Sequence, residues 1–209
     1  MANEKEAAAM TEDSKRLRIL NAAMAEFMNG YEKASTDSIV KSAGVSKGLL
    51  FHYFGSKKEL FLYAYEYALQ AVAQEVFALI DQTERDILVR LRRVAILKLE
   101  LMRKHPMIFE FVNRATAFSD AEITPGIAEH KRRLTEELLP RLYRDVDSSL
   151  FRPDIDAAQA INAILYAAEG YAQQVYNPAQ SMEEYRAQYD QYMGEFDALL
   201  SLFKKTLYR

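Results

Sequence analysis

The residues best equipped for chemistry in this chain lie between Thr36 and Lys57. Lys47 can donate to guanine O6 and N7 or to a phosphate oxygen, and His52 to a base edge or a phosphate. Gly48 removes a side chain and allows close backbone approach. Leu49 offers an apolar contact to a thymine methyl. Phe51 and Tyr53 are bulky enough to brace against a sugar–phosphate wall, and only Tyr53 can hydrogen-bond there. Thr36 and Lys57 stand at helix starts, where free amides and the helix dipole attract phosphate. With Ser46, these residues support the reading of double-stranded DNA: base edges give sequence and phosphate contacts give register.

The elements that must position them follow from local signals. The pattern is a short helix, a glycine turn, a second short helix and the capped start of a third, a helix-turn-helix layout. Thr36 is expected to cap helix 2, whose inward residues are Ile39, Val40 and Ala43. Gly44 supplies the turn, with positive φ. Ser46 caps helix 3, and Leu50 and Phe54 pack it inward. Ser56-Lys57-Lys58-Glu59 forms a capping box that opens helix 4, which runs to about Ile80. Helix 1 is expected from about Ser14 to Met28 and ends at Gly30. Residues 1–13 are polar and acidic and are expected to form a disordered tail.

Later helices are expected to open at Thr83, at Pro106, at Thr124-Pro125, at Arg152-Pro153 and at the capping box Ser181-Met182-Glu183-Glu184. About nine helices result, with no strand alternation: an all-α fold. Three helices make a DNA-binding domain over 14–58. Helix 4 joins it to a larger ligand-binding and dimerisation domain over 59–209.

Composition narrows the alternatives. The chain has 209 residues, half of them apolar, with only 7 Gly and 5 Pro, which suits a helical core. With no cysteine, disulfides, thiolate catalysis and Cys-based zinc sites are excluded. Nothing resembles a secretory leader or a bilayer span, so the expected location is the cytoplasm, with no membrane partner. The net charge of −3 is unevenly spread. Residues 14–58 carry eight Lys or Arg against three acids, while residues 1–13 carry one Lys against four acids. Positive charge is concentrated where phosphate neutralisation would need it.

Residues 14–61 resemble the N-terminal domain of the TetR family of bacterial transcriptional regulators. The matching blocks are Ala43-Gly44-Val45-Ser46-Lys47-Gly48, Phe51-His52-Tyr53-Phe54 and Ser56-Lys57-Lys58-Glu59-Leu60, about a quarter of the chain. The resemblance implies that Thr36 and Lys57 contact phosphate, that Lys47, Gly48 and His52 face bases, and that Tyr53 clamps the backbone. It departs at Phe51, where the family usually has tyrosine, so a phosphate hydrogen bond is lost. It departs also at Asp37, where some members place a basic base-reading residue. Direct readout by helix 2 is therefore not expected.

The remainder carries no family motif. Helix 8 is alanine-rich and apolar around its circumference, and helix 9 carries a stripe of Tyr185, Tyr189, Tyr192, Phe196, Leu199, Leu200 and Phe203. These two helices are expected to pair with their copies in a homodimer, which would let two recognition helices read a palindromic operator. A pocket for an unknown small organic ligand would draw on Met102, Phe109, Asn113, Phe118, Tyr166, Glu169 and Gln173. The leading expectation is a homodimeric repressor released from its operator by that ligand. A DNA-binding architectural or protein-regulated factor without an inducer is the alternative. A protein-binding bundle would leave the basic segment unexplained. An enzyme is not expected: His52, His105 and His130 form no metal-ligand spacing, and there is no phosphate loop or nucleophile elbow. No cofactor or metal is implied.

Overall fold

The computed structural model describes residues 2–175, 180 and 182–209. Among them are ten α-helices: α1 (Ala2–Phe27), α2 (Thr36–Ala43), α3 (Lys47–Phe54), α4 (Lys57–Leu79), α5 (Ile87–Lys104), α6 (Pro106–Thr116), α7 (Thr124–Tyr143), α8 (Ala157–Val175), α9 (Met182–Ala187) and α10 (Tyr189–Leu207). A 3₁₀ turn covers Ser148–Leu150, and the extended pairing among the described residues is a single antiparallel bridge between Phe151 and Tyr208. The all-helical class holds. None of the described helices is long and apolar enough to cross a membrane.

Several boundaries differ from those expected, each for a local reason. α1 extends back to Ala2 across the alanine- and glutamate-rich segment expected as a tail, residue types that favour helix. Ser35, not Thr36, caps α2: its backbone is extended and its hydroxyl accepts from the Ser38 amide, which makes Thr36 the first helical residue. Thr83 does not open α5. Its amide and hydroxyl are both taken by Asp81, at 2.8 and 2.7 Å, and Asp86 caps the helix through the Leu88 amide at 2.9 Å. Pro153 likewise precedes α8 by a turn, and Asp156 caps it by accepting from Ala158 and Gln159 at 2.9 and 3.2 Å. A carboxylate at these starts also meets the positive end of the helix dipole. The single helix 9 divides at Gln188 into α9 and α10. Ser181, the expected cap, lies outside the described residues.

The chain forms two compact units. The first comprises residues 1–71 and 107–134. Its core joins Ile19, Leu20, Ala23, Met24 and Phe27 of α1 to Ile39, Leu50, Phe54, Leu60, Phe61 and Tyr65, and takes Phe111, Ala115, Ile123 and Ile127 from later in the chain. Phe61 is fully buried and meets Phe27 edge-on at 5.1 Å, Tyr31 at 5.4 Å and Phe111 at 5.8 Å. Such aromatic pairs add about 0.5–1.5 kcal/mol each beyond burial. Gly126 of α7 lies so close to Leu62 of α4 that a Cβ there would stand 2.6 Å from a leucine methyl. Glycine is what lets those helices approach.

The second unit comprises residues 72–106 and 135–209. Its core gathers Ile87 and Leu88 of α5, Phe151, Ala160 and Ile164 of α8, Phe196 and Leu200 of α10, and Tyr208. Arg90, only 5% exposed, is buried among carbonyls: its guanidinium donates to Glu84, Arg144 and Gln82. A buried cation is tolerated because each of these bonds replaces water. The expected aromatic stripe of helix 9 is turned into this unit. Phe196 and Leu200 are buried, Tyr189 donates to the Ala95 carbonyl, and Tyr171 donates to the Tyr192 carbonyl at 2.8 Å.

Candidate nucleic-acid interface

The turn between α2 and α3 is closed by backbone geometry. Gly44 is left-handed, with φ 65° and ψ 42°, and its amide bonds back to the Lys41 carbonyl at 3.3 Å. Val45 bonds back to Val40 at 3.0 Å, completing the stop. Ser46 caps α3 as expected, accepting from the Leu49 amide at 3.2 Å. Ser56 accepts from the Glu59 amide at 3.1 Å, half of the expected box, while its own amide goes to the Phe54 carbonyl at 2.8 Å.

These caps fix the rotation of α3. Leu50 and Phe54, one turn apart, are buried in the core of the first unit. Lys47, Gly48, Phe51 and His52 are consequently exposed, at the i, i+1, i+4 and i+5 spacing of one helical face. Leu49 and Tyr53 are half-buried at its margins. Phe51 remains 36% exposed, an apolar ring left on a cationic surface. Every α3 residue expected to meet DNA therefore lies on this face or at its border.

Several polar groups of this surface are held by neighbours. The Lys47 ammonium contacts both oxygens of Asp37, at 2.9 and 3.1 Å. The Lys57 ammonium stands 4.8 Å above the Tyr31 ring and donates to the Glu32 carbonyl at 3.2 Å. Burial and a hydrogen bond to Glu122 push the Tyr31 phenol well above its ordinary range, so it stays neutral beneath the cation. The Arg16 guanidinium lies 5.0 Å over the Tyr53 ring. Loss of solvent and then the Glu12 carboxylate push the Tyr53 phenol upward, so it remains an O–H donor. Thr36 is half-buried in the first turn of α2. Two participants escaped sequence reasoning: Asp37 as the partner of Lys47, and Arg16 as the partner of Tyr53. Both contacts join different helices, and no local spacing announces them.

The residues expected at a ligand pocket divide between the units. Phe109, Asn113 and Phe118 belong to the first, where Phe118 packs against the core. Met102 is buried in the second. Tyr166 is 76% exposed on α8, with Glu169 and Gln173 exposed beside it and joined by a 3.3 Å hydrogen bond. Glu110 and Arg114 form the i, i+4 surface ion pair that their spacing predicts, at 2.8 Å.

Residues 19–64 match the family described as bacterial regulatory proteins, tetR family. The chain is 27% identical over 150 residues to the HTH-type transcriptional repressor KstR of Mycolicibacterium smegmatis, covering 68% of this chain and 70% of that protein. It is 28% identical over 133 residues to the HTH-type transcriptional repressor AcnR of Corynebacterium efficiens, covering 61% of this chain and 63% of the relative. Among solved structures it resembles the TetR-family regulator PfmR of Thermus thermophilus, with TM-score 0.54 and 25% identity over 88% of this chain and 97% of that one. It also resembles the fatty acid degradation regulator FadR of Bacillus halodurans, with TM-score 0.62 over 91% and 98% of the two chains. At 17% identity the latter speaks for the fold alone. The curated relatives are transcriptional repressors, not enzymes.

Proposed function

Because the chain belongs to the TetR family of bacterial regulatory proteins, we propose that it is a homodimeric repressor of transcription that binds a palindromic operator and leaves it when a small organic ligand binds. The observation that carries this reading is the face of α3. Lys47, Gly48, Phe51 and His52 are exposed together because Leu50 and Phe54 anchor the opposite side. In the major groove, Lys47 and His52 meet base edges, Gly48 admits the sugar–phosphate backbone, and Leu49 and Phe51 meet thymine methyls or the groove wall. Thr36, Tyr53 and Lys57 supply the flanking phosphate contacts, within a DNA-reading segment spanning 14–58.

Dimerisation is assigned to the outward faces of α8 and α10. Over nineteen residues, α8 carries one charged side chain, Glu169, and leaves Asn162, Ala163, Tyr166 and Gly170 exposed. On α10, Ala198 is exposed and Leu202 is 57% exposed. Small residues and two large exposed apolar groups, with few charges among them, suit a twofold contact with its own copy. Within the second unit, Met102 is the buried candidate for ligand contact. Regulation then takes the form of population shift: the ligand favours a state in which the paired recognition helices no longer fit adjacent half-sites.

The test is electrophoretic retardation of the DNA upstream of the protein's own gene. Retardation at low salt, competed by unlabelled specific duplex and lost in Lys47→Ala, supports the reading. Absence of retardation at low salt would overturn it. A small molecule that binds without weakening the DNA complex would remove induction and leave DNA binding standing.

A further inference from the structure

We propose that Asp37 is a specificity-determining residue that acts through Lys47, holding its ammonium for a base edge and withholding it from nonspecific phosphate. The inference rests on the DNA-binding reading given above. Asp37 lies in the first turn of α2 and Lys47 is the first residue of α3, so the pair bridges the two helices of the reading motif. The ammonium sits 2.9 and 3.1 Å from the two carboxylate oxygens, and the side chains are 73% and 50% exposed for Asp37 and Lys47.

Three consequences follow from that geometry. An ammonium has three N–H donors, and a carboxylate that takes its nearer side leaves the outward donor for a ligand. The long lysine stem loses the freedom to swing toward whichever phosphate is nearest. The pair also has no net charge, so Lys47 adds little to sequence-independent attraction, which depends on cations that displace counterions from phosphate. An exposed pair of this kind is worth at most about 1 kcal/mol. A well-placed guanine, with two acceptors on its major-groove edge, can compete for the ammonium, whereas a poorly aligned phosphate gains little over the carboxylate. Asp37 thereby disfavours nonspecific DNA more than the cognate site. Lys57 is held differently, by a neutral ring and a carbonyl, and keeps its full charge for phosphate.

The experiment uses the full chain with two probes: a duplex that the wild-type protein recovers from a randomised library, and a mixed-sequence duplex of equal length. Affinity for both is measured across a salt series for wild type, Asp37→Asn and Asp37→Glu. Asp37→Asn is expected to bind the mixed-sequence duplex on the order of fivefold more tightly, the size of one surface charge interaction. The slope of log affinity against log salt on that duplex should steepen by about one. Affinity for the selected duplex should rise less, so the specificity ratio falls, and Asp37→Glu should restore it. A role confined to the α2 dipole would alter the melting temperature and leave both ratio and slope unchanged. Equal gains on both duplexes, or an unchanged slope, would overturn the proposal. If wild type recovers no duplex at low salt, the DNA-binding reading itself fails, an outcome distinct from either.

Discussion

Two outward surfaces of this molecule differ in how their charges are arranged. The α3 face and its borders are cationic and aromatic, and three of the cations there are held by neighbours: Lys47 by Asp37, Lys57 by Tyr31 and Glu32, Arg16 over Tyr53. The outward side of α8 carries Glu169 as its one charged group, beside amides, small residues and the exposed Tyr166, and α10 adds the exposed Leu202 between Glu195 and Lys205. The first arrangement suits a polyanion, because phosphate can replace modest internal partners without leaving a buried charge. The second suits a surface like itself, since Tyr166 and Leu202 are large apolar groups that gain by leaving water when two copies meet. Side-chain identity alone distinguishes the faces; the rigidity beneath each comes from a core in its own unit.

The comparison can be broken from the core outward. Phe61→Ala should have the largest effect. It removes the ring shared by Phe27, Tyr31 and Phe111, and a loss of about 3–5 kcal/mol in denaturant unfolding is expected, with DNA binding lost as well. The double substitution Tyr166→Glu and Leu202→Glu puts like charges in place of the large apolar groups of the α8 and α10 face. Sedimentation should then report a monomer of native helicity with weakened hold on a palindrome, and an unchanged dimer would remove the assignment of that face. Lys47→Ala should weaken binding to the selected duplex by about 1–3 kcal/mol and relax base preference, whereas Lys57→Ala should weaken all duplexes alike and lower the salt slope by about one. A single titration series across both variants separates the two roles.

The smallest effect is expected at a partly exposed ion pair. In the second unit, Lys104 and then His105 hold the Glu75 carboxyl below its ordinary range, each at 2.7 Å. A lowered carboxyl stabilises the fold above the ordinary glutamate range, and that contribution disappears as pH falls through the lowered value. Glu75→Gln should therefore lower stability slightly on the neutral side, converge with wild type at the acid end, and so make the acid limb of the stability–pH curve shallower. A steeper acid side in the variant would contradict the sign.

Where punctuation is local, the sequence announces the structure. Gly44, Ser46 and Ser56 fix α3 and the start of α4 within twelve or so residues, and Leu50 and Phe54 then dictate which side faces out. Where packing decides, it does not. In α8, alanines surround the helix, and only Ala160 and Ile164 prove buried. The tyrosine and phenylalanine stripe after Met182 suits a partner copy and a private core equally well; the carbonyls of Ala95 and Tyr192 are what claim its hydroxyl neighbours for the core. Asp86 and Asp156 displaced the expected caps because Asp81 had already claimed Thr83, and because a full turn separates Pro153 from α8. The Asp37–Lys47 pair spans ten residues and depends on the angle between α2 and α3, which no periodicity encodes.

The discontinuous make-up of the first unit bears on how the protein comes to life. Phe111, Ala115, Ile123 and Ile127 belong to the same buried cluster as Phe61, yet residues 72–106 intervene. A nascent chain that has just released α3 and the start of α4 from the ribosome holds the whole reading motif but only part of the core beneath it. Closure waits until residue 134 has emerged and the intervening loop has been closed at its entropic cost. A fragment ending at residue 71 would meet the same deficit permanently, so the reading motif of this protein is contiguous in sequence while its foundation is not.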